Sequence, residues 1–136
     1  MAIQVLIIDD DATFRRNILK PQLERRGYAV LEAGKLHDAD AILERQRPDL
    51  MILDGLLPDG SGAEYVARLQ RRGIHIPIVF VSAFWKDAAA FRQLAELGVR
   101  EIMTKPIQAD DLFRRIEKLL GGKNGAPPPP TGTIPP

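Results

Sequence analysis

Five polar residues that could carry chemistry stand at or just after the ends of four apolar runs. Asp9 and Asp10 follow VLII, Asp54 follows MIL, Ser82 follows VFV, and Lys105 comes shortly after EIM. Three carboxylates within reach of each other repel unless one takes a proton or a cation binds. Ligands that are all oxygen suit a hard ion, and few carboxylates with room for water and phosphate suit Mg²⁺. Lys105 adds a positive charge and Ser82 a hydroxyl, so the set suits a site for a phosphoryl group.

The apolar runs themselves predict the sheet that positions these residues. Short β-rich runs alternate five times with longer amphipathic segments, which indicates an α/β fold with a parallel sheet and helices on both faces. The predicted strands are Ile3–Ile8, Ala29–Glu32, Leu50–Leu53, Ile76–Val81 and Val99–Met103, and the predicted helices are about Ala12–Arg26, Leu36–Gln46, Gly62–Arg72, Lys86–Leu97 and Ala109–Leu120. Ligands of such sheets bind outside the carboxyl ends of the strands. We therefore expect the five polar residues, with Thr104, to converge there.

Local signals refine the first helix. Asp11 stands where a helix N-cap is wanted, and we interpret it as a cap rather than a ligand. Pro21 lacks a backbone donor and predicts a kink within that helix. Pro58, Gly60 and Gly62 are interpreted as turn formers.

Composition excludes several other kinds of site. The 136 residues carry 19 basic and 18 acidic side chains, a net charge of +1, so charge does not favour a nucleic acid or an anionic membrane as partner. Cysteine is absent and only His37 and His75 are histidines, which disfavours disulfides, thiol catalysis and a transition-metal site. The N-terminal apolar run is too short for a signal peptide or a membrane span. A cytoplasmic protein is expected.

The chain length suits one domain, which we place at residues 1–121. Residues 122–136 are rich in Gly and Pro, and such a segment is typical of an extended or disordered tail. A linker, a docking peptide and an inert end are all compatible with this composition.

Four motifs together give the sequence a family resemblance. They are the acidic pair in VLIIDDD, the segment DLMILDGLLPDGSG, the strand end VFVSA and the tripeptide TKP. In order and spacing they resemble the receiver domains of bacterial two-component response regulators (CheY-like domains), over residues 1 to about 121. The resemblance implies a five-stranded parallel sheet of order 2-1-3-4-5, doubly wound with five helices, as in the flavodoxin-like three-layer sandwich.

The resemblance also implies a role for each site residue. Asp54 would be the phosphoacceptor, taking its phosphoryl group from a sensor histidine kinase or a phosphotransfer protein. Asp9, Asp10, Asp54 and the backbone carbonyl of Leu56 would hold Mg²⁺, and Lys105 would pair with the phosphoryl oxygens. Ser82 would move towards the phosphoryl group on activation, and the Lys105–Pro106 peptide bond would be cis. The domain would thus be a signalling receiver rather than an enzyme, catalysing only its own phosphorylation and dephosphorylation.

One position departs from the family pattern. The family usually has Tyr or Phe three residues before the conserved lysine, where this sequence has Ile102. Phe84 and Trp85 directly follow Ser82-Ala83, and our hypothesis is that this segment takes over part of the switch. In this hypothesis Phe84, together with Leu56, also shields the phosphoryl group from water, whereas the alternative is that both aromatics only pack locally.

The expected output surface consists of the last two helices and the last strand, which follow Ser82 and Lys105 in the chain. An output domain, a downstream protein or a second copy of the chain could bind there. We expect no nucleic acid or membrane contact by this domain.

Two other functions stay open on sequence alone. A pseudo-receiver, which keeps the fold as a binding module without phosphorylation, is favoured by Ile102. A phosphatase of the haloacid-dehalogenase type is suggested faintly by Asp54-Gly55, but Leu56 stands where that class needs a second acid.

Overall fold

Five parallel strands form the sheet, as the apolar runs predict. The computed structural model describes residues 2–83 and 88–121. We number the strands β1 to β5 in chain order: Gln4–Ile8, Ala29–Ala33, Leu50–Asp54, Ile78–Ser82 and Glu101–Thr104. Their spatial order is β2-β1-β3-β4-β5 with parallel pairing throughout. The predicted fold class and the implied strand order 2-1-3-4-5 are therefore confirmed.

Helices cover both faces of the sheet. They are α1, a π-helical stretch Phe14–Leu19 continued by Lys20–Arg25, then α2 (Leu36–Leu43), α3 (Gly62–Arg71), α4 (Ala88–Glu96) and α5 (Ala109–Leu119). One buried cluster joins the sheet to α1 and α5, and the other joins it to α2, α3 and α4. Within the described ranges, no helix is long and apolar enough to cross a membrane.

The apolar runs of β1, β3 and β4 are continuous because these three strands are buried on both faces. In β1, Val5 and Ile7 contribute to the cluster under α1 and α5, whereas Leu6 and Ile8 contribute to the other. Side chains alternate between the two faces of a strand, so both sets must be apolar. All four residues are fully buried.

The predicted element ends are wrong by one to three residues where pairing or capping decides them. Asp54 and Ser82 are the last residues of their strands rather than the first residues after them, because Asp54 is in register with Val81 and Ser82 with Thr104. β5 begins after Val99, whose backbone N–H donates to Leu94 in the turn that ends α4. Helix α2 ends at residue 43 rather than 46.

A wider, π-helical turn precedes Pro21 in α1. The backbone N–H of Lys20 donates to the carbonyl of Arg15, five residues back, and the α-helical pattern resumes with Pro21 in its first turn. A proline at the start of a helical stretch loses no intrahelical bond. The π-helical stretch thus ends where the proline can be accommodated.

Candidate functional site

The structure brings the predicted acidic residues together at the carboxyl edge of the sheet. Carboxylate oxygens of Asp9, Asp10 and Asp54 lie within 4.8 Å of one another. Asp9 and Asp54 are 3% and 7% exposed, whereas Asp10 is exposed. Lys105 Nζ lies 3.2 Å from Asp9 Oδ2 and 3.4 Å from Asp54 Oδ2. Residues from three strand ends therefore form one charged pocket.

The β1–α1 turn fixes Asp9 through the backbone. The Asp9 N–H donates to the carbonyl of Ala33 on β2 at 3.0 Å. Asp9 Oδ1 accepts from the Asp11 N–H at 2.9 Å, and Asp11 Oδ1 accepts from the Phe14 N–H at 3.1 Å. The second bond is a helix cap, so the prediction for Asp11 is confirmed.

A tight turn after β3 presents Asp54. Its Oδ1 accepts from the Leu56 N–H at 3.3 Å, and the Gly55 N–H donates to Val81 on β4 at 2.8 Å. A two-stranded hairpin, Leu56–Leu57 with Gly60–Ser61, follows and leads into α3. The Leu56 side chain is 69% exposed and lines the same cavity, of about 700 Å³, as Asp54.

The charges of the pocket do not balance among its own residues. Burial of Asp54 and the neighbouring Asp9 carboxylate raise the pKa of Asp54 above its usual value, and Lys105 offsets this only in part. Partial burial acts to lower the pKa of Lys105, but the charges of Asp9 and Asp54 outweigh it and raise that pKa. Three carboxylates thus face one ammonium group, and a cation would relieve the remaining repulsion.

The donor set fits Mg²⁺. The carboxylates of Asp9, Asp10 and Asp54 are hard oxygen ligands on converging chain segments, and the open cavity beside them leaves space for water or phosphoryl oxygens. Asp9 and Asp54 already accept hydrogen bonds that orient their carboxylates.

Ser82 lies on the same cavity as the acidic residues. It ends β4, is half-buried, and lines the cavity together with Asp10, Asp54 and Lys105. Its carbonyl accepts from the Lys105 N–H at 3.0 Å. Ser82 and Lys105 are therefore joined through the backbone. Phe84 and Trp85, like the tail 122–136, lie outside the described residues.

The residue in the family's aromatic position lies on another surface. Ile102 is half-buried on β5 and lines a cavity of about 430 Å³ with Phe91, Pro106 and Arg115. This cavity belongs to the predicted output surface of α4, β5 and α5. The peptide bond between Lys105 and Pro106 is cis.

Sequence reasoning missed the structural roles of three residues, two at the pocket and one at the start of α2. Arg15 is buried and donates to the Asp9 carbonyl. The sequence feature that could have identified Arg15 is a charged residue on the buried face of α1, four residues before Leu19. Asp59 accepts from the Leu36 and His37 N–H groups at 2.8 and 2.9 Å.

For Asp59, the sequence feature was indirect: Lys35 cannot cap the first turn of α2 with its side chain, so the N–H groups of that turn need an acceptor from elsewhere. Gly62 was interpreted only as a turn former, yet a Cβ there would lie 2.3 Å from the Asp54 carbonyl oxygen. These three residues share a dependence on tertiary contacts, which the linear spacing of motifs does not show.

Comparisons with known proteins agree with this geometry. The family model described as "Response regulator receiver domain" matches residues 5–117. The phosphate regulon transcriptional regulatory protein PhoB of Pseudomonas aeruginosa is 35% identical over 118 residues, covering 85% of this chain and 51% of the relative. The chain thus spans about half the length of the curated relatives it matches.

Solved structures show the same fold. A response regulator receiver domain protein (CheY-like) from Methanospirillum hungatei JF-1 has a TM-score of 0.79 and 26% identity, covering 88% of this chain and 94% of that one. A response regulator from Burkholderia pseudomallei, with a phosphorylated aspartic acid, calcium ion and citrate, has a TM-score of 0.72 and 25% identity. That comparison covers 82% of this chain and 64% of the other.

Proposed function

The chain belongs to the response regulator receiver domain family, and from that premise we propose that Asp54 accepts a phosphoryl group from a sensor histidine kinase or phosphotransfer protein. The convergence of Asp9, Asp10, Asp54 and Lys105 in one pocket carries this proposal. The phosphorylated aspartic acid of the Burkholderia relative supports it by analogy.

Each pocket residue has its own role in an in-line phosphoryl transfer. An Asp54 carboxylate oxygen attacks the phosphorus of a phosphohistidine, the new O–P bond forms, and the P–N bond breaks with its electron pair on the imidazole nitrogen. Lys105 pairs with the phosphoryl oxygens, and Ser82 donates its hydroxyl to one of them. Such a reaction depends mostly on positioning and on neutralising charge.

A divalent cation completes this arrangement. We propose that Asp9, Asp10, Asp54 and the Leu56 carbonyl hold Mg²⁺, which would supply the positive charge that the pocket lacks. The carboxylates of Asp9, Asp10 and Asp54 would be its acidic ligands. The cluster of three carboxylates and the raised pKa of Asp54 support this assignment.

The switch is proposed to act through Ser82 and the segment that follows it. Ile102 is aliphatic and half-buried, so rotation of an aromatic ring at this position is excluded. Phosphorylation would change the surface of α4, β5 and α5, where an output domain, a downstream protein or a second copy binds. We place the receiver at residues 1–121, treat 122–136 as a tail or linker, and place the protein in the cytoplasm.

Intact mass separates this function from its alternatives. The protein is incubated with Mg²⁺ and a small acyl phosphate, and we expect the mass gain of one phosphoryl group, absent from Asp54→Asn and absent with excess chelator. Ile102 favours a pseudo-receiver as second candidate. No adduct, together with no Mg²⁺-dependent change in Trp85 fluorescence, would favour that candidate over ours. Steady phosphate release from ordinary monoesters would point to a phosphatase.

A further inference from the structure

Arg15 on α1 is buried although it carries a full positive charge, with 6% of the residue exposed. Its Nη1 donates to the backbone carbonyl of Asp9, and its Nε donates to Glu32 Oε1 on β2 at 2.9 Å. A buried guanidinium is costly unless its donors are satisfied and its charge is paired. The charge is paired with Glu32, two of the guanidinium nitrogens donate hydrogen bonds, and one of the two acceptors belongs to the acidic pocket.

Glu32 supplies the opposite charge and orients the guanidinium. It also lies 3.2 Å from Arg16 Nε and 3.4 Å from Lys20 Nζ. Partial burial acts to raise the pKa of Glu32, but the hydrogen bonds from Arg15 and Lys20 outweigh it and lower that pKa. The carboxylate is therefore ionised at neutral pH, and it holds Arg15 in the orientation that reaches Asp9.

The contact with Arg15 completes the fixation of Asp9. The N–H of Asp9 is bonded to Ala33, and its carboxylate contacts the Asp11 N–H and Lys105 Nζ. The carbonyl that Arg15 holds lies in the planar peptide unit that leads into Asp10. Rotation of this unit would redirect Asp10 relative to Asp9, so the contact controls how the two carboxylates face each other.

We propose that Arg15 is a positioning residue for the divalent-cation site, fixing the Asp9–Asp10 peptide so that both carboxylates face the same ion. Glu32 is its orienting partner. This inference rests on the proposed function, because it assumes that Mg²⁺ binds between Asp9, Asp10 and Asp54. Groups that orient metal ligands from outside typically change metal affinity about 10- to 100-fold when they are removed.

The chain offers a matched control on the same helix. Arg16 pairs with the same Glu32 oxygen, but its side chain is 64% exposed and its hydrogen bond is to Glu32 rather than to Asp9. Arg15→Gln and Arg16→Gln therefore remove the same charge from the same carboxylate. The two variants differ in the contact with the Asp9 carbonyl and in the burial of the side chain that is replaced.

The test is a Mg²⁺ titration by isothermal calorimetry on the full chain, with phosphorylation by acyl phosphate measured at saturating Mg²⁺. We expect Arg15→Gln to raise the Mg²⁺ dissociation constant about tenfold or more and Arg16→Gln to leave it within about twofold. At saturating Mg²⁺ the Arg15→Gln rate should recover to within about threefold of the wild type, because the ion then restores the carboxylate arrangement. Equal dissociation constants for the two variants would overturn the inference, and a rate that stays low at saturation would also do so.

Failure of the proposed function gives a different result. If the unsubstituted chain itself neither binds Mg²⁺ nor gains a phosphoryl group, the metal site is absent and the proposed function fails. If it does both and Arg15→Gln matches Arg16→Gln, only the positioning role fails.

A second variant that keeps the charge allows the test to be made even if Arg15→Gln does not fold. Arg15→Lys retains the cation but lacks the planar fork that reaches two acceptors at once. We expect an Mg²⁺ dissociation constant between those of the wild type and Arg15→Gln, and a wild-type value would overturn the inference. Tyr65→Phe, which loses the hydrogen bond from α3 to Asp40 on α2, serves as a destabilised control whose Mg²⁺ affinity should stay unchanged.

Discussion

Gly62→Ala should destabilise the domain and displace the phosphoacceptor at the same time. Gly62 is the first residue of α3 and is buried, and its N–H donates to the Gly55 carbonyl at 3.0 Å. A Cβ at this position would lie 2.3 Å from the Asp54 carbonyl oxygen and 3.1 Å from both the Gly55 Cα and Phe80 Cε2. Two of these three neighbours are backbone atoms, which no rotamer change can move.

The expected cost follows from the size of the overlap. An ordinary Cβ contact lies at 3.4–4 Å, so the start of α3 or the end of β3 must move by about 1 Å. Overpacking of this kind costs about 1–3 kcal/mol. For a domain of this length, that corresponds to a fall in melting temperature of about 4–15 °C. Because Asp54 itself must shift, we also expect weaker Mg²⁺ binding and slower phosphorylation by acyl phosphate.

Urea denaturation and calorimetric Mg²⁺ titration measure the two effects on the same samples. Gly121→Ala is the control, since its Cβ would meet only the Glu117 and Lys118 carbonyl oxygens at 3.6 Å, which are ordinary contacts. A stability for Gly62→Ala within about 0.5 kcal/mol of the wild type, a range typical of neutral surface substitutions, would refute the steric argument. A destabilised variant with unchanged Mg²⁺ affinity would refute the link to Asp54.

Three further substitutions test the charge of Asp54, the cap of α2 and the hydrogen bond between α3 and α2. The raised pKa of Asp54, caused by burial and by Asp9, means that its ionisation opposes folding above the ordinary Asp pKa. Asp54→Asn should therefore be more stable than the wild type at pH 7 without Mg²⁺, and urea denaturation should show the gain shrinking as pH falls through the raised pKa of Asp54, with none left below about pH 4; a constant gain would contradict this. The pKa of Asp59 is lowered by the backbone N–H groups at the start of α2, so its stabilisation is present at neutral pH and is lost as pH falls through that pKa. Asp59→Asn should destabilise at pH 7 but not in strong acid, and equal losses at both pH values would count against the cap. Tyr65→Phe removes the 2.8 Å hydrogen bond to Asp40 and should lower the free energy of unfolding, measured by denaturant, by about 1.5–3 kcal/mol. An unchanged free energy of unfolding would mean that water replaces the bond.

The sheet and the site were predictable because both depend on the same signal. The continuous apolar runs of β1, β3 and β4 mark strands buried on two faces, and in a parallel sheet the carboxyl ends of all strands meet at one edge. Asp9, Asp54 and Lys105 could thus be placed together without knowing any helix packing. Strand ends were less certain, because whether Asp54 or Ser82 still belongs to a ladder depends on the length of its neighbour.

The supporting residues were not predictable because each depends on a partner far away in the chain. Arg15 meets Glu32 across the β1–β2 connection, and Asp59 caps a helix that begins 23 residues earlier. An arginine on a buried helical stripe indicates that some acceptor must be present, but the sequence does not say which one. Gly62 shows the same limit for sterics, since a turn former and a residue that must lack a Cβ look identical in sequence.

The position of Lys105 indicates how a charge change in the pocket can reach the expected output surface. Its Nζ contacts Asp9 and Asp54, while its N–H binds the Ser82 carbonyl and so joins β4 to β5. A phosphoryl group on Asp54 would replace a single negative charge by about two and would move the preferred position of the ammonium group outwards. We expect that displacement to act on the segment directly after β5, without any rotation at Ile102. An aliphatic residue in the aromatic position is therefore compatible with a functional switch, because the backbone link between Ser82 and Lys105 is independent of it.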